Sequence, residues 1–267
     1  MMSPHRFDER EDSHAGKAEA HTLTTVGALL DGPQIFARYA FMPNRLSYCG
    51  GDDNRALFDY CLAGVTDDGL RRLLRKFTGA MPYLRLIAES NAILDPFDAR
   101  VVEAYWLGND LLQGVEARAL YNSLRDRFGH QMRVRDLELV LGKAPAGAHP
   151  HHSFHVLEVC PRSGWPQALS FMDNCRISWG NVVERDGSVL TVEVMPLLIV
   201  GHQLVLGMAE HRTVNWDVDG SGFVSTASPG DWISIHWGWA CQVLSPKQVA
   251  NLERWTRHHL AIVNETL

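Results

Sequence analysis

The stretch that decides the fold is GKAPAGAHPHHSFHVLEVC, residues 142–160, because the hydrophobic pattern of the chain changes there. Its first nine residues contain two prolines, two glycines and no large apolar side chain, which is typical of a linker. Before this stretch, apolar residues recur every three to four positions, as in helices. After it they alternate every second position, as in strands. The sequence therefore predicts an α+β protein with a helical part followed by a β part.

The helical part is predicted over residues 23–145. Leu70, Leu73, Leu74 and Phe77 recur at helix spacing, and a later helical pattern ends at Gly129. Residues 1–22 have many charges and few apolar side chains, so we expect a disordered tail.

The β part, residues 146–267, is predicted to be a small antiparallel barrel with a closing C-terminal helix. Alternating patterns predict strands over residues 153–160, 176–184, 189–195, 197–206 and 232–243. Asp186-Gly187 is a hairpin signal, and the segment from Ser245 to Gln248 has the pattern of a capping box.

Composition excludes several classes of protein. The 267 residues carry a net charge of -6, which does not favour nucleic acid or an anionic membrane surface. The chain contains no apolar run of about 18 residues and no secretory signal pattern. Its five cysteines are odd in number and form no CxxC, so we expect free thiols in a reducing cytoplasm.

Four histidines lie close together in the deciding stretch: His149, His151, His152 and His155. Imidazoles at this density suit a divalent metal ion. On a strand, His151 and His155 would share one face, two pleats apart. The alternative is a polar loop that happens to be rich in histidine.

Cys49 precedes Gly50 and Gly51, ahead of the first clear helix. Glycine allows the backbone to approach a ligand closely, and a helix N-terminus lowers the pKa of a thiol. Cys49 is therefore a second candidate ligand. The alternative is a turn in which the cysteine is incidental.

Cys175 and His236 are further candidate ligands, because Cys175 directly precedes one predicted strand and His236 lies within the last one. In the last predicted strand, Ile233, Ile235 and Trp237 alternate towards the barrel interior, which leaves His236 on an accessible outer surface. Spacing alone also permits a solvated histidine and a small core cysteine.

Residues 174–255 resemble the HypC-type chaperones of NiFe-hydrogenase maturation, which are small OB-like barrels. The matching features occur in the family's order. A cysteine, here Cys175, comes first, followed by a Gly–hydrophobic–Val step, an acidic-Gly hairpin and a Val-rich strand. A Gly-Asp turn, a His-x-Gly-hydrophobic-Ala motif and a helix complete the order. Here the step is Gly180-Asn181-Val182-Val183, the turn is Gly230-Asp231, and the histidine motif runs from His236 to Ala240. The whole chain also resembles an uncharacterised bacterial family associated with hydrogenase gene clusters.

The resemblance implies that Cys175 and His236 hold an iron atom with two cyanides and one carbon monoxide. The implied function is a cytoplasmic carrier that passes this iron-dicyanide-carbonyl unit to the hydrogenase large-subunit precursor, with a HypD-type scaffold protein as partner. The helical part would dock a partner or replace that scaffold. The family's cysteine follows the initiator methionine, whereas Cys175 is internal. Arg176 is expected to favour its thiolate.

A second hypothesis retains a metal site but makes the protein an enzyme instead of a carrier. His151, His152, His155 and Cys49 could form a site between the two parts of a metal-dependent enzyme. Such an enzyme would act on a small molecule or produce a ligand of the iron, and the metal could be another divalent ion.

Overall fold

The structure is a computed structural model that describes residues 30–166 and 168–266. The predicted tail, residues 1–22, lies outside the described residues. The described chain combines helices with a sheet and ends in a helix, in agreement with the predicted α+β class. None of the described helices is both long and apolar enough to cross a membrane.

The first part of the described chain is helical, as the apolar spacing predicts. Asp31 and Asp67 cap two of its helices by accepting hydrogen bonds from backbone N–H groups in the first turn. The elements are α1 (Gly32–Arg45), α2 (Asn54–Ala63), α3 (Asp68–Arg75), α4 (Met81–Ser90), α5 (Ala99–Trp106), a 3₁₀ helix (Asp110–Gly114), α6 (Ala117–Phe128) and α7 (Val134–Lys143).

The strand predicted over residues 153–160 is wrong, because this segment is helical. It consists of α8 (His152–Phe154), a π-helical turn (His155–Val159) and α9 (Cys160–Arg162), and α10 (Leu169–Cys175) follows. Val156, Leu157 and Val159 are all buried, so apolar side chains point to more than one side. A short run that is apolar all round fits a buried helix as well as a strand.

The β part contains seven strands: β1 (Ser178–Asp186), β2 (Val189–Val194), β3 (Leu197–Val200), β4 (Gln203–Leu206), β5 (Glu210–Asn215), β6 (Trp232–His236) and β7 (Trp239–Val243). Two long predicted strands are each a hairpin instead. Gly201 has φ +63° in the turn between β3 and β4. Trp237 and Gly238, at φ +55° and +67°, form the turn between β6 and β7.

Five of these strands close into a barrel in the order β1-β2-β5-β7-β6, while β3 and β4 form a separate hairpin. Four neighbouring pairs are antiparallel, and the pair β5–β7, matched at Asn215 and Trp239, is parallel. The predicted antiparallel barrel is therefore antiparallel at four of its five neighbouring pairs and parallel at this one. The last hairpin inserts its second strand beside β5, and this insertion forces the parallel contact.

The C-terminal helix α11 (Pro246–Asn264) begins as the sequence predicts. The Ser245 hydroxyl accepts from the Gln248 N–H, and the Gln248 side chain accepts from the Ser245 N–H. The first turn of the helix also contains Pro246, which needs no hydrogen-bond partner for its nitrogen.

One hydrophobic cluster contains residues from both parts of the chain. Phe41 of α1 packs edge-on against Trp239 of β7 at 5.3 Å, and the Tyr39 hydroxyl lies 2.9 Å from the Ser234 hydroxyl of β6. The outer surface of β6 is therefore covered by α1, and the domain boundary at residues 145–146 stays a prediction. The expectation that His236 lies on an accessible surface is wrong, because this residue is 1% exposed.

Candidate metal centre

Three side chains that are distant in sequence meet where α8, α10 and β6 end or begin. They are His152 at the start of α8, Cys175 at the end of α10 and His236 at the end of β6. One ligand atom from each lies within 4.8 Å of the other two, so the three could hold a metal ion. We call them the metal triad.

His236 presents a lone pair to the metal triad. Its Nδ1 lies 2.7 Å from the Tyr39 carbonyl oxygen, which can only accept, so Nδ1 carries the ring proton. Its Nε2 is buried and has no hydrogen-bond partner among the described residues. Burial lowers the pKa of His236 to about 4. The ring is therefore neutral near pH 7, in the tautomer that binds a metal through Nε2.

His152 is held at both nitrogens. Its Nε2 lies 2.9 Å from the Cys175 carbonyl oxygen and must donate to it, so Nδ1 accepts from the Tyr105 hydroxyl at 3.1 Å. Burial lowers the pKa of His152 well below its ordinary value. Coordination through Nε2 requires the proton to move to Nδ1, where the Tyr105 oxygen can accept it instead.

Cys175 supplies a thiol, because burial raises the pKa of its sulfur well above 9.0. The expected help from Arg176 is absent, since this guanidinium pairs with Asp173 at 2.8 Å and donates to the Met195 carbonyl. A metal would therefore displace a proton from this thiol on binding.

The metal triad lies on the wall of a cavity of about 630 Å³. That volume is within the range of about 300–1,000 Å³ found for small-molecule pockets. It also far exceeds the roughly 30 Å³ share of one water molecule. The cavity therefore has room for a metal and for a further small ligand.

Two more of the predicted site residues, Cys49 and His155, line the same cavity. Burial raises the pKa of Cys49 to about 12, so the expected lowering by a helix N-terminus is not found. Gly50 beside it has φ +83°, and a Cβ there would collide with the Phe77 ring. Glycine is thus needed for the chain to turn at the cavity wall.

His155 lies one helical turn beyond His152, in the π-helical turn. Its Nδ1 is 3.2 Å from the Tyr83 hydroxyl, and burial lowers its pKa to about 3. In a helix, residues three apart share a face, whereas a strand would have paired His151 with His155. π-Helical turns occur frequently at functional sites.

His151 lies outside the cavity and takes part in a hydrogen-bonded chain that we call the relay. The backbone N–H of His149 donates to Nε2 of His259, whose Nδ1 therefore donates to the Ser153 hydroxyl at 2.8 Å. The Ser153 N–H donates to Nδ1 of His151, which caps α8. The Ser153 hydroxyl also donates to that Nδ1, at 2.7 Å.

The residues that position the triad have no separate signal in the sequence. Tyr39 of α1 and Tyr105 of α5 bind the two imidazoles, and the Trp106 ring contacts His152 at 4.6 Å. Tyr39 and Tyr105 lie on apolar stripes, where they were indistinguishable from core aromatics. The imidazole that each one binds is distant in sequence: His236 lies 197 residues from Tyr39, and His152 lies 47 residues from Tyr105.

The residues present fit a transition metal. One thiolate and two neutral imidazoles form a donor set suited to iron, zinc or copper, and three protein ligands leave a coordination position open. A separation of 4.8 Å exceeds the roughly 3.5 Å expected for tetrahedral bonds of about 2.0–2.3 Å, so small side-chain rotations would close the site.

Comparison with known proteins identifies the family alone. No curated protein and no solved structure matches the chain significantly. The model of DUF6390, a family of unknown function, matches residues 28–267 and so includes every residue of the metal triad. The chain therefore belongs to the DUF6390 family.

Proposed function

We propose that this protein is an assembly factor that binds iron through Cys175, His236 and His152 and delivers it to a NiFe hydrogenase. The observation that carries the proposal is the meeting of Cys175 and His236, two residues 61 positions apart, within 4.8 Å. The resemblance to HypC-type chaperones pairs these same two residues around an iron-dicyanide-carbonyl unit.

The β part supports the resemblance. Its closed barrel has five strands, and the fifth inserts between the third and the fourth. A five-stranded Greek-key barrel is the architecture of OB folds. In the proposal, this barrel supplies His236 while α10 supplies Cys175.

The donor set also suits such a cargo. A thiolate is a soft ligand and imidazole is intermediate, and both stabilise low-spin iron with strong-field ligands. The internal position of Cys175 removes the free amine that the family has beside its thiol. In this protein, His152 supplies the nitrogen donor in its place.

Infrared spectroscopy of protein purified anaerobically from a hydrogenase-producing host tests the proposal. We expect bands from metal-bound cyanide and carbonyl in the wild-type protein and none in Cys175→Ala. The bands should disappear after incubation with a hydrogenase large-subunit precursor, as iron passes to it. Absence of both bands in iron-loaded wild-type protein would contradict the delivery of this unit.

The cavity favours a second candidate, a metal-dependent enzyme. About 630 Å³ beside an open coordination position would admit a small substrate. Catalytic zinc sites have this same plan of three protein ligands and one exchangeable position. Turnover by the purified, metal-loaded protein would favour the enzyme, whereas stoichiometric, transferable iron without turnover favours the carrier.

A further inference from the structure

The cavity contains a cation that no described side chain neutralises. Arg127 of α6 lines its wall, and its Nη1 is a buried donor without a partner among the described residues. Its Nη2 donates to the Gly79 carbonyl at 3.1 Å, and the guanidinium lies over the Tyr83 and Phe128 rings at 4.5 and 4.7 Å. These contacts fix the guanidinium but leave Nη1 without an acceptor among the described residues.

No acidic residue of the described chain lines this cavity. The other cationic side chain on the wall, Lys76, is paired with Asp53. The two cysteines on the cavity wall outside the metal triad, Cys49 and Cys160, are thiols near pH 7, because burial raises the pKa of each to about 12. Within residues 30–166 and 168–266, Arg127 therefore has neither an ion-pair partner nor a thiolate to balance it.

The Arg127 side chain is half-buried, but its Nη1 atom is buried and has no acceptor among the described residues. A buried donor without an acceptor is costly, and an acceptor bound in the cavity would remove that cost. A divalent metal bound by one thiolate and two neutral imidazoles keeps a net positive charge, which would strengthen the attraction for an anion in the same cavity.

We propose that the cavity is an anion-binding site in which Arg127 Nη1 donates to a small anion held beside the metal triad. The anion is either a ligand of the metal or a free molecule next to it, and both sources share the same recognition by a guanidinium. This inference rests on the proposed metal site for the first source only. It extends either function, since a carrier would use Arg127 to hold an anionic ligand of its iron and an enzyme would use it to orient an anionic substrate.

Azide titrations of the metal-free protein and of the Co(II)-loaded protein, at constant ionic strength, test the proposal. Calorimetry detects binding to the first, and the visible absorption of Co(II) detects binding to the second. We expect saturable binding of azide to the wild-type protein. If azide binds only when Co(II) is present, the anion is a ligand of the metal; if it binds both forms, the site holds a free anion.

Arg127→Gln should weaken azide binding about tenfold or more, because it removes a charge-assisted hydrogen bond. Arg125→Gln is the matched control, since it makes the same change on the same helix at an exposed residue paired with Asp126. Circular dichroism checks that both variants fold, and Arg127→Lys, which keeps the charge, should retain more affinity than Arg127→Gln.

Absence of saturable azide binding in both forms of the wild-type protein would overturn the proposal without any variant. Equal affinities in Arg127→Gln and wild type would overturn it as well. Failure of Co(II) to bind would contradict the metal centre, whereas Arg127-dependent azide binding to the metal-free protein would still support the anion site. The two proposals can therefore fail separately.

Discussion

The segment that contains His151 and His152 supplies imidazoles to two neighbouring clusters that differ in where the ring protons lie. In the relay, backbone N–H groups donate to His259 and His151, so each ring has an acceptor nitrogen already in use. In the metal triad, both imidazoles donate to backbone carbonyls: His236 keeps a free lone pair on Nε2, and the Nδ1 of His152 accepts only from the Tyr105 hydroxyl, which can turn to accept instead. The comparison teaches that the backbone partner, more than the density of histidines, decides which imidazole can bind a metal.

The two clusters also differ in whether a ligand in the cavity can reach them. The relay is packed between α8 and α11, where His151 stacks on His259 with ring centres 5.5 Å apart. The metal triad faces a cavity of about 630 Å³. We therefore expect substitutions in the triad to change metal binding and substitutions in the relay to change stability.

The largest expected effect is that of Cys175→Ala. Loss of the only thiol in the described triad should abolish iron retention, because the remaining two imidazoles form a weak site for iron. Ser153→Ala in the relay is the control and should retain iron while it lowers the melting temperature. Iron content and melting temperature measured on both variants test this, and full iron occupancy in Cys175→Ala would refute the carrier as proposed.

His236→Ala and His151→Ala form the next pair. His236→Ala should weaken metal affinity by more than about 100-fold, since loss of even a hydrogen-bond partner of a ligand costs about 10–100-fold. His151→Ala should leave the affinity unchanged and cost about 1 kcal/mol or more of unfolding free energy, because it removes the cap of α8. Metal titration and chemical denaturation of both variants provide the measurement. Equal losses of metal affinity in His236→Ala and His151→Ala would contradict the different roles of the two clusters.

The pH dependence of stability involves buried histidines of both clusters and also His155. Burial lowers the pKa of His236 to about 4 and that of His151 and His155 to about 3. Unfolded imidazoles titrate near pH 6.5, so the unfolded chain binds more protons below that value. The free energy of unfolding is therefore at its full value above about pH 6.5. It falls as the pH drops towards 4, by about 1.4 kcal/mol per pH unit for each buried imidazole. Thermal unfolding of the metal-free protein from pH 8 to pH 4 should show this loss, and a flat profile would contradict it.

The smallest effect is expected for Tyr105→Phe, which removes the hydroxyl that binds His152 Nδ1. Metal affinity should fall about tenfold, at the lower end of the range for partners of ligands. Tyr83→Phe is the matched control, because its hydroxyl binds His155 on the same cavity wall and the triad does not include His155. Co(II) titration compares the two, and equal affinities in Tyr105→Phe and wild type would show that His152 does not need this partner.

Much of the fold was predictable because it depends on local chemistry. The helices of the first part follow from apolar spacing such as that of Leu70 and Leu74, and the start of α11 follows from its capping residue Ser245. β1 and β2 follow from alternation and from the Asp186-Gly187 turn. Hairpins at Gly201 and Trp237 were missed, since a turn inside an apolar run leaves little trace in composition.

The sequence by itself identified Cys175 and His236 as a pair of candidates, through the resemblance, and the histidine-rich segment as a source of candidate ligands. Only the tertiary structure decided that His152 joins them while His151 does not. The reason is that a helix, not a strand, follows Pro150: a helix places His152 and His155, three residues apart, on one face, whereas a strand would have placed His151 with His155. The tautomer of His236 likewise depends on the Tyr39 carbonyl, 197 residues away, which no local pattern can specify.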